Sequence, residues 1–458
     1  MVNGCSGAAE LAPSAGTPGA HFTRRPSRPP RRSPVAQLPS PLAAAAARNP
    51  RSVDARSLLD GMPRAESKRA ACCDGIDVLP DEVLQHILGF LEAQESVRTC
   101  VLARRWRHLW KSATGLRIAA DEGEFLGSVE KLCDFVDSLL RHRGGSPLHT
   151  CKLRFTSFGQ VMSDCLYKHD DRLMRLVNTW FWHAVRCQVR VLSLKAYDTG
   201  RFLQEPTLAL EDRPIDSRHL MRLDLYSVVV GRRFVNFSNC PSLEHLKFRS
   251  CYFEPENDSR LHICAPSLVS LLLDDIWGLI SSLESMPSLL KAAVTTENSW
   301  ESCDRGDCNC EFCHNSYSIG DDTGSNDCVL LKGLSEAKDL ALISGPETFI
   351  FKRDLRWCPM FSNLKTLLLN DYWCVPDDFR SLVCILEHPP ILEKLTLELF
   401  SKKHRQQRER EASLRPMEGS AVILEHLKII EVRCHAVDER ICKLTLFLCA
   451  FHIRLSFT

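Results

Sequence analysis

The sequence predicts an α/β protein: a short three-helix unit, then an irregular solenoid whose strands form a parallel sheet on a concave face. Two patterns predict it. Between Gly75 and Gly115, apolar residues and two tryptophans fall at helical spacing in three short runs. From about residue 185 a second pattern recurs: apolar, two variable, apolar, one variable, apolar. The bulk numbers permit this, because 458 residues of which 44% are hydrophobic suit two or three domains and a sizeable core.

Residues 1–74 stand apart. They hold Arg24 to Arg32, rich in arginine and proline, an alanine run ending at Ala47, and few large apolar side chains. Such a segment cannot bury enough surface to offset chain entropy, so it reads as a disordered leader. Its basic, acid-poor composition also suits an organelle transit peptide. Met62 offers a second start before the ordered part.

The helical unit opens at Leu79-Pro80-Asp81-Glu82. Proline at the start of a helix sacrifices no bonded N–H, and acids in the first turn suit the helix dipole. Val83, Leu84, Ile87, Leu88 and Leu91 then form one apolar stripe, with Gly89 read as lying within this helix. After a break at Glu92 to Glu95, Val97, Val101 and Leu102 mark a second short helix. Trp106, Leu109 and Trp110 mark a third, flanked by Arg104, Arg105, Arg107 and Lys111. A unit of about 40 residues is marginal alone, so an apolar face on it reads as a docking surface.

The run from Leu79 to Leu88, followed by Val97 to Trp110, closely resembles the plant F-box motif. Ala103 departs from it, standing where serine or cysteine is usual before the basic-basic-Trp segment. The resemblance implies docking onto the Skp-type adaptor of an SCF-type, cullin-based ubiquitin ligase. It implies that Leu79, Pro80, Ile87, Leu88, Val101, Leu102, Trp106, Leu109 and Trp110 divide between packing the unit and touching the adaptor. Both tryptophans are expected as interface hot spots, since large aromatics carry much of interface energy.

The repeats read Val189/Leu192/Leu194, Leu220/Leu223/Leu225, Leu243/Leu246/Phe248 and Leu268/Leu271/Leu273. Weaker copies follow at Leu289/Ala292/Val294 and Ala337/Leu340/Leu342, then clear ones at Leu364/Leu367/Leu369, Leu392/Leu395/Leu397 and Leu424/Leu427/Ile429. Those opening at Leu220, Leu243, Leu268 and Leu289 lie 23, 25 and 21 residues apart, the period of leucine-rich repeats. Later spacings stretch to 27, 28 and 32, with one gap of 48. The last two apolar positions share a side of a strand, leaving one side of each repeat uncovered until neighbours stack. The outward residues then line the concave face of the horseshoe, which solenoids use to hold proteins.

The organisation is therefore a leader (1–74), the F-box (75–115), a helical linker and first repeat (116–184), repeats (185–296), an insertion (297–327) and further repeats (328–458). The first repeat strand is placed at Cys151 to Phe155, with helices around Phe125 to Leu140 and Arg172 to Val185 and a short one at Asp378 to Leu386. Pro389 to Leu397 and Leu427 to Val432 resemble the FBD-type ending of plant F-box/leucine-rich-repeat proteins. Such a protein holds an unknown target while the ligase supplies the chemistry. The alternative is a non-catalytic interaction scaffold outside a ubiquitin ligase.

The insertion contains Cys303, Cys308, Cys310, Cys313 and His314 among polar residues, enough donors to consider zinc. They lack the two separated ligand pairs of structural zinc sites, so the segment reads as a disordered polar insertion and no cofactor is expected. No phosphate-cradling glycine loop, HExxH helix or nucleophile elbow points to an enzyme. A net charge of +1, from 58 basic and 57 acidic residues, argues against nucleic acid as the main partner. No apolar run reaches the roughly 18 residues of a membrane span. The nucleus or cytoplasm is expected, with the 22 cysteines as reduced thiols.

Overall fold

The computed structural model describes residues 75–120, 129–155, 171–196, 208–254, 261–278, 282–296, 330–345, 350–374, 379–400, 426–449 and 454–457. The leader, the insertion with Cys303, Cys308, Cys310, Cys313 and His314, and the basic run from Lys402 to Arg410 lie outside the described residues.

Twelve strands build one wholly parallel sheet in chain order: β1 Gly115–Ala120, β2 Thr150–Phe155, β3 Val191–Ala196, β4 Arg222–Tyr226, β5 His245–Arg249, β6 Ser270–Asp274, β7 Lys291–Thr296, β8 Asp339–Ser344, β9 Thr366–Asn370, β10 Lys394–Leu399, β11 Ile429–Cys434 and β12 Arg454–Phe457. The register turns the repeat into two continuous rows. One runs Leu192, Leu223, Leu246, Leu271, Ala292, Leu340, Leu367 and Leu395; the other lies two residues on, from Leu194 to Leu397. Every one of these side chains is buried, as is the first apolar residue of each triad from Val189 to Leu392. A single strand leaves this side bare, and its neighbours cover it.

The recurring lead-in has a local cause. In Cys240-Pro241-Ser242-Leu243, the Leu243 amide donates to the Cys240 carbonyl at 3.0 Å, and Leu268 and Leu289 make the same bond to Ala265 and Met286. Proline is pre-set for the second position of such a turn. At the other end of β4, β5 and β6 the chain leaves the sheet through Ser227, Ser250 and Asp275, all left-handed with φ of 55°, 46° and 55°. Small polar residues tolerate that corner better than bulky ones. It feeds a second parallel ribbon of short strands, Leu208–Ala209, Val228–Val230, Tyr252–Phe253 and Trp277–Gly278.

Helices cover the rest of the buried side. The helical unit contributes α1 Asp81–Leu88 and α2 Ala93–Arg98. The two linker helices fall where the periodicity put them, α3 at Val129–Arg143 and α4 at Asp171–Arg186. Trp180 of α4 donates to the Asp137 carboxylate of α3 at 3.0 Å. Asn178 accepts from the Glu211 amide and donates to the Ala209 carbonyl, both at 2.8 Å, pinning the next connection. Further on lie α5 Ile350–Asp354, α6 Arg380–Leu386 and α7 Glu439–Cys449. The fully buried carboxylate of Asp354 accepts from the Leu330 and Leu331 amides at 2.7 and 2.9 Å, fixing the chain where it re-enters the described part of the solenoid. Among the described residues no helix is long and apolar enough to cross a membrane.

Four expectations need correction. The first repeat strand is β1, one strand before Cys151 to Phe155, and Ala113/Leu116/Ile118 and Leu148/Cys151/Leu153 are repeat triads with small residues in place of leucine. The last clear triad is Leu427/Ile430/Val432, not Leu424/Leu427/Ile429: Ile430 pairs with Leu395 and Val432 with Leu397, and Ile429 points outward, 39% exposed. The third helix of the F-box region is a pair of 3₁₀ turns, Arg104–Arg107 and Leu109–Ser112. Gly89 lies not inside α1 but at its C-cap, where a Cβ would sit 2.5 Å from the Gly115 amide nitrogen. The tail, whose role the sequence left open, makes β12, which pairs with β11.

The register is open to a direct check. Ile430→Ala removes a buried side chain and is expected to cost about 2–4 kcal/mol. Ile429→Ala, one residue away on the open side, is expected to cost below about 1 kcal/mol. Urea unfolding midpoints of the two variants compare them; equal losses would mean that the strand is registered otherwise.

Candidate functional site

The helical unit has a small core of its own. Leu84 and Leu88 of α1 face Trp106, Leu109 and Ala113, with Leu79, Ile87, Leu91 and Trp110 packed around them. Arg105 holds the last part of the unit to the first. Its guanidinium pairs with Asp81 at 2.6 Å and donates to the Leu79 carbonyl. Both side chains of the pair are well exposed, so the ion pair itself contributes little and the geometry matters more. At the opposite end the Thr114 amide donates to the Gln85 carbonyl at 3.3 Å, and Gly89 passes directly over Gly115. Only glycine permits backbones to approach so closely.

The same unit caps the solenoid. Ala93 is part of the solenoid's core, and Val97 and Trp110 pack against it. Arg143 of α3, 6% exposed, donates to the Trp110 and Ala113 carbonyls at 3.0 and 2.9 Å. Burial pushes the affinity of this guanidinium for its proton down, and the nearby Cys187 and Cys151 partly offset that. The Trp110 carbonyl also accepts from the Ala113 amide at 3.3 Å, closing the 3₁₀ turn, and the buried cation gives both carbonyls at the end of that turn a charged donor.

The nine residues expected at the adaptor face sort by exposure. Leu88, Trp106 and Leu109 are sealed in the unit's own core. Leu79, Ile87 and Trp110 are half-buried, and Pro80 is exposed. Val101 and Leu102 stand out at 81% and 68% exposed. The expectation of two tryptophan hot spots is therefore corrected. Trp106 is 5% exposed, and an indole already packed inside has no face left for a partner. Trp110 lies between the two cores with its Nε1 donating to the Arg107 carbonyl at 3.1 Å. Ile76 and Val78, in the 3₁₀ turn before α1, and Val83 of α1 are exposed apolar residues that the motif reading did not assign. The available signal was the width of the α1 stripe: Leu84 and Leu88 fill the inward positions, leaving Val83 outside.

The second candidate surface is the open face of the sheet. Its middle row runs Arg117, Lys152, Ser193, Asp224, Lys247, Leu272, Ala293, Ala341, Leu368, Thr396, Glu431 and Ser456. The centre is hollow: Leu272, Ala293, Ala341 and Leu368, with Lys247, Lys291 and Lys394 at the sides, line a shallow cavity of about 480 Å³. Toward the C-terminal end the charges are matched, Lys291 with Asp339 at 3.6 Å, Lys394 with Glu431 at 2.6 Å, and Arg433 with Glu398 at 2.8 Å. Hydrogen bonds from Lys394 and Arg433 hold the Glu431 carboxyl at about 2.

Among the described residues the thiols respond to their surroundings in both directions: a hydrogen bond with Cys358 lowers that of Cys384, while burial raises others. Cys187 lies 3.4 Å from His183 Nε2, yet burial raises the thiol and, with Arg186 and Arg143, lowers the imidazole. Burial pushes the thiols of Cys151, Cys251 and Cys374 up to about 12, leaving them protonated and inert. Among the described residues no cluster of histidine, cysteine and carboxylate has the make-up of a metal site.

The structure is a self-packed helical unit fused to a parallel, leucine-ladder solenoid. The F-box domain model matches residues 76–115. The chain is similar to three proteins from Arabidopsis thaliana. An F-box/LRR-repeat protein is 29% identical over 242 residues, covering 50% of this chain and 46% of the relative. An F-box/FBD/LRR-repeat protein is 27% identical over 407 residues, 80% of this chain and 87% of the relative. An FBD-associated F-box protein is 29% identical over 236 residues, 50% of this chain and 52% of the relative. The chain thus spans about half the length of two of these relatives and most of the third.

Two outcomes are expected. Trp106→Ala should cost about 3–5 kcal/mol and open the F-box to limited proteolysis. Glu431, whose folded value lies below that of a free glutamate, contributes stability that is present above roughly pH 4.3 and lost as pH falls toward 2. Thermal melts of Glu431→Gln should accordingly differ from those of the parent at pH 6 and converge with them near pH 2.

Proposed function

We propose that this chain is the substrate-receptor subunit of an SCF-type cullin-RING E3 ubiquitin ligase. F-box domains in general bind Skp-type adaptors, and through such an adaptor the chain would join the cullin. The observation that carries the reading is the exposed apolar set of Pro80, Val101 and Leu102 on a unit whose other large apolar residues are mostly packed. Arg105 bonds Leu79 and Asp81, which flank Pro80, and so draws the Val101–Leu102 end of the unit toward the start of α1. Exposed valine and leucine at such a junction gain most from a partner that covers them.

The open face of the solenoid holds the target protein. The chain itself is non-catalytic; it raises the effective concentration of a target lysine near the ubiquitin-charged enzyme. The place of action is the nucleus or cytoplasm. A second reading, an interaction scaffold outside a ligase, is favoured by one observation: the F-box also serves as a cap, giving Ala93, Val97 and Trp110 to the solenoid. Adaptor binding separates the two.

The double substitution Val101→Asp with Leu102→Asp should weaken capture of a Skp-type adaptor by at least about 30-fold. It should leave the circular dichroism and melting temperature unchanged. A folded variant that captures the adaptor as well as the parent would sink the docking assignment.

A further inference from the structure

The charge of the chain is balanced overall but segregated on the open face. On β1 to β5 the outward positions carry Arg117, Lys152 and Lys247 in the middle row. Arg154, Lys195 and Arg249 lie in the row toward the strand ends, and Arg222 in the row before. Asp224 is the one carboxylate among the outward positions of those five strands, 3.9 Å from Lys195. From β7 onward the Lys291, Lys394 and Arg433 cations each contact a carboxylate, and at the edge of the basic field Asp274 of β6 lies beside Arg249.

Cations facing one another across neighbouring strands destabilise a sheet. The cost is visible here. Burial lowers the proton affinity of Lys152, and Arg117 and Lys195 lower it further, with Asp224 and Glu92 partly offsetting them. Burial, Arg222 and Lys247 do the same to His245, partly offset by Glu244. A ligand bringing several negative charges relieves this repulsion, and the saving adds to its affinity. Immediately beyond the basic field lies the apolar hollow of Leu272, Ala293, Ala341 and Leu368.

We propose that the open face binds an extended acidic segment of a protein, its acid-rich half over β1 to β5 and an aliphatic half in the hollow over β6 to β9. The proposal deepens, and rests on, the reading of this face as the target-holding surface. The dimensions fit: strands about 4.8 Å apart make the basic field about 19 Å wide, the reach of roughly six extended residues, and the hollow adds about as many more. The apolar hollow selects a peptide over nucleic acid, because a polyphosphate chain has nothing to place on leucine and alanine, while aliphatic side chains do.

The probe is a labelled peptide of about twelve residues, acidic in one half and leucine- and valine-rich in the other, followed by fluorescence anisotropy with the full chain. Binding should weaken with salt. Lys152→Glu with Arg222→Glu, both exposed, should reduce affinity at least about tenfold. Leu272→Ser with Leu368→Ser should reduce it without altering the salt dependence. Melting temperature and adaptor capture should stay at parental values in both. Equal affinity of parent and charge-reversed chain, or of the peptide and its Glu-to-Gln counterpart, would overturn the proposal. So would a single-stranded oligonucleotide of matched length that binds more tightly than the peptide. Adaptor capture measured on the same preparations keeps the two readings apart: its loss counts against the ligase role alone, and peptide failure with capture intact counts against this inference alone.

Discussion

The structure depends on one constraint: a strand of this sheet cannot cover the apolar side chains it projects, so each repeat is completed only by its neighbours. The rows from Leu192 to Leu395 and from Leu194 to Leu397 are continuous because parallel pairing keeps equivalent residues side by side. That requirement fixes the spacing of three and two within each triad but not the length between triads. Repeats can therefore differ in length, and the connections can be helices, 3₁₀ turns or a ribbon of short strands, so long as each returns in register. The turns that deliver Leu243, Leu268 and Leu289 and the left-handed corners at Ser227, Ser250 and Asp275 are the two devices that restore it.

The same constraint makes the ends of the sheet a problem. Phe457 of β12, in register with the buried Val432, is 48% exposed, while nearby Arg440 of α7 reaches Asp371 beside β9 at 2.6 Å with both side chains largely buried. At the N-terminal side the cap is the F-box itself. Its final 3₁₀ turn ends at Ser112 and β1 begins at Gly115, so no linker separates the two. Arg143 turns this adjacency into a joint, its buried cation bonded to the Trp110 and Ala113 carbonyls at the end of the turn. Removing either side of that arrangement would leave polar groups buried without partners, which is why the joint is stiff.

Much of this was legible in the sequence because the repeat pattern and the F-box residues are local signals. The helices α3 and α4 followed from periodicity, as did the middle repeats. What was illegible has physical causes. Leu427 to Val432 offers two apolar phases one residue apart, and choosing between Ile429 and Ile430 needs the neighbouring strand. The first two triads use Ala113 and Cys151 where a leucine would have announced them. Tryptophan is apolar whether it packs inward or waits for a partner, so the sealed position of Trp106 could come only from coordinates. The charge segregation was hidden for the same reason: outward positions are defined only once the register is known, and a chain-wide balance of 58 to 57 averages it away.

A rigid joint changes what the proposed receptor can do. Were the F-box tethered by a flexible linker, the target would sample a broad volume around the adaptor, and its effective concentration at the ligase would fall as the linker lengthened. With Arg143, Trp110 and the crossing of Gly89 over Gly115 holding the unit to β1, the face proposed for the adaptor and the basic half of the open face keep a fixed relation, because the helical unit is packed directly on the first strand. Position then becomes part of selectivity. Under the proposed function, only those target lysines at suitable distances from the segment seated on the sheet would reach the ubiquitin donor.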